Sequence, residues 1–341
     1  MSGNSIGTEN TSLLDGILMS LGNFPTMVPK IRAFALLFAS FRVNFIHGFT
    51  GSSNHGNLPR RRFKSTRVTL ERQSVAKRIC EFEADDFPLP TGEWAYTEAD
   101  LRRVDETDDG RFYVMPRFVT HIDDGAIAAL TDFYREEMAH VAVRKGGDID
   151  VLDLCSSWIS HLPDEGVVPF GRVVGIGMNI EELAANKQLT EYYVQDLNKE
   201  PLLSEFESGS FDVICNVVSV DYLTKPREIF QEMHRLLRPG GTAIMSFSNR
   251  CFPTKAVAMW LQADDIGRMS IVGSYFHYAA KWESIEALNL KPPLPPAPER
   301  PSFGEMFQNP AKGFAWMNTA AAVQKANSGD PLFAVKAVKE E

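Results

Sequence analysis

Polar residues stand at the ends of four apolar, strand-like runs. Asp153, Ser156 and Ser157 lie in VLDLCSSWISHLP (151–163), and Asn179 closes VVGIGMN (173–179). Asp196 and Leu197 follow in YYVQDLN (192–198), then Asn216, Ser219, Asp221 and Tyr222 in FDVICNVVSVDYLTKP (211–226). In an open α/β sheet, ligands bind beyond the carboxyl ends of the strands, so these residues are the ones placed to touch a ligand. Their chemistry is hydrogen bonding and proton transfer. An Asp beside a Tyr in apolar surroundings suits a base or a polar anchor, which makes Asp221 and Tyr222 the catalytic candidates. The competing reading is that such loop side chains only satisfy nearby backbone. The four cysteines, Cys80, Cys155, Cys215 and Cys251, have neither CxxC spacing nor paired histidines, so no disulfide framework or zinc site is indicated. Cys155 and Cys215 read as small buried hydrophobes.

The elements that would carry these residues alternate. VLDL is a central parallel strand; RVVGIGM (172–178), FDVICNVVSV and TAIMSFS (242–248) are others. Between the last two lies a helix that enters at Pro226, shows Ile229, Phe230, Met233, Leu236 and Leu237 on one face, and stops at Pro239-Gly240-Gly241. An amphipathic helix with Ile127, Leu130, Phe133, Tyr134 and Met138 precedes the first strand, with Asp123 or Asp124 as its cap. PLFAVKAVK (331–339) alternates and makes a final edge strand, whereas LKPPLPPAPERP (290–301) must be a loop or insertion. The expected fold is α/β: a Rossmann-like, doubly wound, mostly parallel sheet.

The order and content of these runs resemble a class I S-adenosylmethionine-dependent methyltransferase of the type 11 kind, over roughly residues 112–260 and the final strand. The resemblance implies S-adenosylmethionine as cofactor and an antiparallel C-terminal edge strand. It places Asp153, Ser156, Ser157, Asn179, Asp196, Leu197 and Asn216 at the cofactor. Asp196 and the following backbone amide would read the adenine edge, and Asn216 and Ser219 would face the cofactor. Two departures stand out. The glycine-rich loop of the family is replaced by Cys155-Ser156-Ser157-Trp158, and the ribose-binding acid by Gly177. The serine hydroxyls are then expected to hold the methionine carboxylate, and Asn179 to bond a ribose hydroxyl. Trp158 reads first as a core residue of the helix after the first strand, and otherwise as packing beside the sulfonium. Two functions follow: a methyltransferase for a small-molecule acceptor, or a methyltransferase fold retained as a binding or scaffold subunit. A nicotinamide dehydrogenase would need GxGxxG after the first strand and ranks behind both.

Charge divides the 341-residue chain. Residues 1–70 hold eight Lys and Arg against Glu9 and Asp15, net +6, so the remaining 271 residues carry −15 of the overall −9. An acidic body does not favour a nucleic acid partner. The basic, Ser- and Arg-containing start, with Phe34, Leu37, Phe38, Phe41 and Phe45 at helical spacing, has the composition of an organelle transit segment (chloroplast or mitochondrion), or else of a disordered tail. Its apolar run is too short to span a bilayer. Residues 71–140 are expected to be a linker and a covering helix, and 141–341 the methyltransferase-like domain.

Overall fold

Apolar runs buried on both faces form the centre of the sheet in a computed structural model of the chain, which describes residues 76–164, 166–292 and 299–341. The basic segment and its targeting expectation lie outside the described residues, as does 293–298 of the Pro-rich stretch. One sheet is built from β1 (Lys77–Glu81), β2 (Ile149–Leu154), β3 (Phe170–Gly177), β4 (Glu191–Val194), β5 (Phe211–Val217), β6 (Leu237–Phe247), β7 (Trp282–Asn289) and β8 (Phe333–Lys339). Its spatial order is β1-β7-β8-β6-β5-β2-β3-β4. The β4-β3-β2-β5-β6 half is parallel throughout. β8 runs antiparallel to both β6 and β7, and β1 antiparallel to β7. The fold is thus the expected α/β, Rossmann-like one. The C-terminal strand is antiparallel as expected, and β7 and β1 extend the sheet beyond it.

The helices are α1 (Glu98–Leu101), α2 (Asp109–Phe112), α3 (Asp124–Lys145), α4 (Ile180–Ala185), α5 (Pro226–Leu236), α6 (Ala258–Gln262), α7 (Asp265–Ala279), α8 (Phe303–Gln308) and α9 (Pro310–Asn327). Asp123 caps α3 by accepting from the Ala126 amide. Leu130, Phe133, Tyr134 and Met138 of α3 then share one core with Ile149, Val151, Val213 and Ile244 of the strands. Each such side chain contributes about 1.5–3 kcal/mol through burial. Helix α5 stops at Leu236, earlier than its sequence suggests: Leu237 already opens β6, and Arg238 pairs with Asp150 and Asp212. No described helix is long and apolar enough to cross a membrane.

The connection from β2 to β3 departs from the doubly wound pattern. No described residue of 155–169 is helical, so Trp158 lies in a loop, not in a first helix.

Candidate functional site

Strand order reverses at β2, which has β3 on one side and β5 on the other, and a crevice forms at such a switch point. A cavity of about 350 Å³ opens there, at the carboxyl ends of β2 to β6, a volume in the range of small-molecule sites. Asp153, Ser156, Ser157 and Trp158 line it from β2, Gly177 and Asn179 from β3, Asp196 and Leu197 from β4, Ser219 and Tyr222 from β5, and Arg250, Cys251 and Phe252 from β6. The chain before α3 closes it over with Asp109, Tyr113, Arg117 and His121. Asn216 and Asp221 do not line it.

Side chains hold the loop after β2 in place. Cys155 has φ +57°, a left-handed conformation that glycine adopts freely and other residues at a cost of about 1–2 kcal/mol. The chain therefore keeps the backbone bend of a glycine loop without the glycine. Asp153 Oδ2 accepts from Ser156 Oγ at 2.6 Å and Ser160 Oγ at 2.7 Å, and Ser157 Oγ donates to Glu182 Oε2 at 2.6 Å. Asn186 Nδ2 donates to Ser157 O and Ser160 Oγ, and the Trp158 indole to Val119 O. Burial pushes the Asp153 carboxyl up to about 6 against these hydroxyls, and pushes the Cys155 thiol up to about 12, which leaves Cys155 without thiolate character. His161 at φ +56° and, beyond β5, Val218 at φ +43° are further outliers on the cavity wall, the latter costly for a β-branched side chain.

Several residues expected at a ligand spend their hydrogen bonds inside the protein. A hydroxyl has one proton, so Ser156 and Ser157, which donate to Asp153 and Glu182, retain only acceptor lone pairs and cannot donate to a carboxylate in this arrangement. Asn179 caps α4 through Oδ1, which accepts from the Glu181 and Glu182 amides, and Nδ2 donates to Tyr113 O and Val114 O. No group is left over for a ribose hydroxyl. Gly177 is needed where it is: a Cβ there would meet Ser156 O at 2.1 Å. Asn216 is fully buried, with Nδ2 on Leu154 O. Asp196 is different. Its Oδ1 accepts from the Asn198 amide, and Oδ2 has Lys199 Nζ at 3.7 Å, leaving acceptor capacity at the cavity.

The two catalytic candidates separate. Tyr222 lines the cavity, and its hydroxyl accepts from the Phe252 amide at 2.8 Å. Asp221 turns into the core, 2 % exposed, with Oδ2 lacking a hydrogen-bond partner among the described residues, and burial pushes its carboxyl up to about 8. The folded chain thus holds a proton that the unfolded chain, with Asp near 3.8, releases. That stabilisation is complete below pH 3.8 and is lost as pH rises to about 8, with a slope approaching 1.4 kcal/mol per pH unit. Asp153 acts in the same direction but only up to pH 6. Urea titrations at pH 6, 7 and 8 should show wild type losing stability relative to Asp221→Asn. Parallel pH curves for the two proteins would mean that Asp221 is ionised in the fold.

Residues that sequence reasoning passed over complete the cover. Lys255, 1 % exposed, donates to Thr107 O at 2.7 Å and sits 3.1 Å from Asp109 Oδ1 and 3.2 Å from Asp105 Oδ2. Asp109 also accepts from Arg103 at 2.8 Å and from Asn198 Nδ2 at 3.0 Å. Burial opposes ionisation of Asp109, but these bonds outweigh it and hold the carboxyl below its usual range. The cluster clamps residues 103–109 onto β6 and the loop after β4. Arg117 and His121, from the segment before α3, also reach the cavity. Farther off, His277 Nε2 donates to Leu89 O, and Tyr275 packs on Trp94.

Residues 157–245, from the loop after β2 to the body of β6, match the family model described as a methyltransferase domain. Over those residues the chain matches a methyltransferase domain. Beyond this match, 116 residues are 34% identical to demethylmenaquinone methyltransferase of Lactococcus lactis, covering 30% of this chain and 44% of that protein. The chain thus spans less than half the length of the curated relative that it matches. Among solved structures, an S-adenosylmethionine-dependent methyltransferase from Mesorhizobium loti aligns at 14% identity and TM-score 0.31, over 57% of this chain and 92% of that one. Phosphoethanolamine N-methyltransferase 2 of Haemonchus contortus, solved with S-adenosyl-L-methionine, aligns at 16% identity and TM-score 0.33, over 69% and 61%. The matched stretch includes the Asp196-Leu197 pair after β4 and begins within the glycine-free loop after β2.

Proposed function

We propose that the chain is an S-adenosylmethionine-dependent methyltransferase acting on a small-molecule acceptor in the cavity at the carboxyl ends of β2 to β6. The observation that carries this reading is Asp196, a carboxylate with remaining acceptor capacity at the position the resemblance gives to the adenine contact, on the wall of a ligand-sized cavity. The residues present fit the cofactor in three respects. Asp196 offers an acceptor to an amine, and Leu197 an apolar wall beside it. Tyr113, Trp158, Tyr222 and Phe252 give the aromatic lining that suits a sulfonium, worth about 0.5–2 kcal/mol per ring. The lone pairs left on Ser156 and Ser157 suit an ammonium. The ribose-binding acid is not reproduced: Glu182, the nearest acid of α4, is occupied by Ser157 and the Arg117 amide.

When bound, S-adenosylmethionine supplies an electrophilic methyl group. Transfer needs in-line positioning and exclusion of water more than a fixed catalytic set, and the residues here are suited to that. Residues of the segment 103–122 line one side of the cavity, and Tyr222 is held by its bond to the Phe252 amide. Asp221 lies off the wall, so a general base among these residues would be sought at His121, whose ring burial keeps neutral.

The test is calorimetric titration of the full chain with S-adenosylmethionine and S-adenosylhomocysteine. Micromolar binding is expected, with a loss of roughly 10- to 100-fold in Asp196→Ala, the cost of a charge-assisted hydrogen bond. Unchanged affinity in a variant with native circular dichroism would remove Asp196 from the site. No binding by folded wild type would favour the scaffold reading, to which the altered loop and Gly177 already lend support.

A further inference from the structure

Arg117 differs from the other Lys and Arg side chains on the described cavity wall. Arg103 pairs with Asp109, Lys255 with Asp105 and Asp109, and Arg250 with Asp330. Arg117 has no carboxylate within ion-pair distance among the described residues. Glu182 is close in space, yet it takes the Arg117 backbone amide at 2.7 Å and the Ser157 hydroxyl, not the guanidinium. The guanidinium is nevertheless held in a fixed plane. Its carbon lies 4.2 Å from the centre of the Phe112 ring, 5.4 Å from Phe252 and 5.7 Å from Tyr113, and Nη2 donates to Phe112 O. Nη1 is shut off from solvent and has no hydrogen-bond partner among the described residues. A donor left in that state is expensive, and a positive charge beside a low-dielectric cavity without a counter-charge more so. Such a cost is retained where a ligand removes it. A planar guanidinium, fixed by aromatic rings and short of acceptors, matches a carboxylate or phosphate oxygen pair.

We propose that Arg117 is the anion-holding residue of this cavity, and that the cavity takes a ligand with a carboxylate or phosphate group seated against its guanidinium. The inference rests on the methyltransferase reading only for the source of the anion, which is either the amino-acid end of the cofactor or an acidic methyl acceptor. Arg117→Gln and Arg117→Lys in the full chain, each checked for native circular dichroism, separate the sources. If the anion belongs to the cofactor, Arg117→Gln binds S-adenosylhomocysteine roughly tenfold or more weakly, while affinity for 5′-methylthioadenosine, which has no carboxylate, stays constant. If it belongs to the acceptor, S-adenosylhomocysteine affinity is unchanged. Benzoate and inorganic phosphate then bind the wild-type chain saturated with S-adenosylhomocysteine, and that binding drops roughly tenfold or more in Arg117→Gln. Arg117→Lys, which keeps the charge and loses the fork, falls between wild type and Arg117→Gln in either case. A wild-type chain that ignores S-adenosylhomocysteine but binds benzoate or phosphate through Arg117 supports the anion site and removes the methyltransferase reading. Equal affinities of wild type and Arg117→Gln for every probe overturn the anion site.

Discussion

Gly177→Asp, the substitution that would restore the family's acidic residue after the second parallel strand, is expected to destabilise the chain by about 4 kcal/mol or more. The cause is steric and lies in the backbone. A Cβ at 177 falls 2.1 Å from Ser156 O, and Leu183 Cδ2 stands at 3.1 Å on the other side. The Ser156 amide is itself tied to Ile176 O at 2.7 Å, so the loop cannot retreat without releasing β3. Gly177→Ala isolates the Cβ from the charge and should show most of the loss. A midpoint of urea unfolding unchanged in the Ala variant would show that the loop moves aside at little cost, and the argument would fail. If the loss is seen, the altered loop and the missing acid are one change, not two, because the path taken by residues 155–158 excludes any side chain at 177.

Lys255→Met should cost about 3–5 kcal/mol, the range for removing one partner from a buried ion cluster. Asp109, 6 % exposed, would keep Arg103 and Asn198, but Asp105 and the carbonyl of Thr107 would lose their cation. Lys255→Arg keeps the charge and should recover part of the loss. Guanidinium unfolding measures it. A difference below about 1 kcal/mol would place the cluster in the class of solvent-screened pairs, which contribute little.

Much of this fold was legible. FDVICNV and VLDL read as buried parallel strands because their apolar runs are interrupted only by Asp212, Asn216 and Asp153, and both are buried parallel strands. The helix from Pro226 was visible in its proline, its apolar stripe and its acidic first turn. β1 was not visible, because KRICE is polar and mostly exposed and becomes a strand only by pairing with β7. The absent helix after β2 could not be read either. CSSWISHLP contains nothing that forbids a helix outright, and the loop is fixed by bonds to Glu182, Asn186 and Val119, none of them near in sequence. At the site, Asp196 was legible from the Asp-Leu pair. Asn179 was legible in place but not in role, since the same side chain that could reach a ligand also makes a good helix cap. Lys255 was missed because its partners lie about 150 residues away and on a segment that composition alone reads as a linker.

The loop between β2 and β3 has an electrical consequence. A helix starting there would present the positive end of its macrodipole, equivalent to roughly half a unit charge, to the cavity and would need no side chain to do so. With no helical residue described between 155 and 169, that fixed field is missing there, and positive potential at this end of the cavity comes from side chains such as Arg117. An anion site of the kind proposed at Arg117 would therefore be removed by a single substitution outside the sheet, unlike a site whose positive potential comes from backbone.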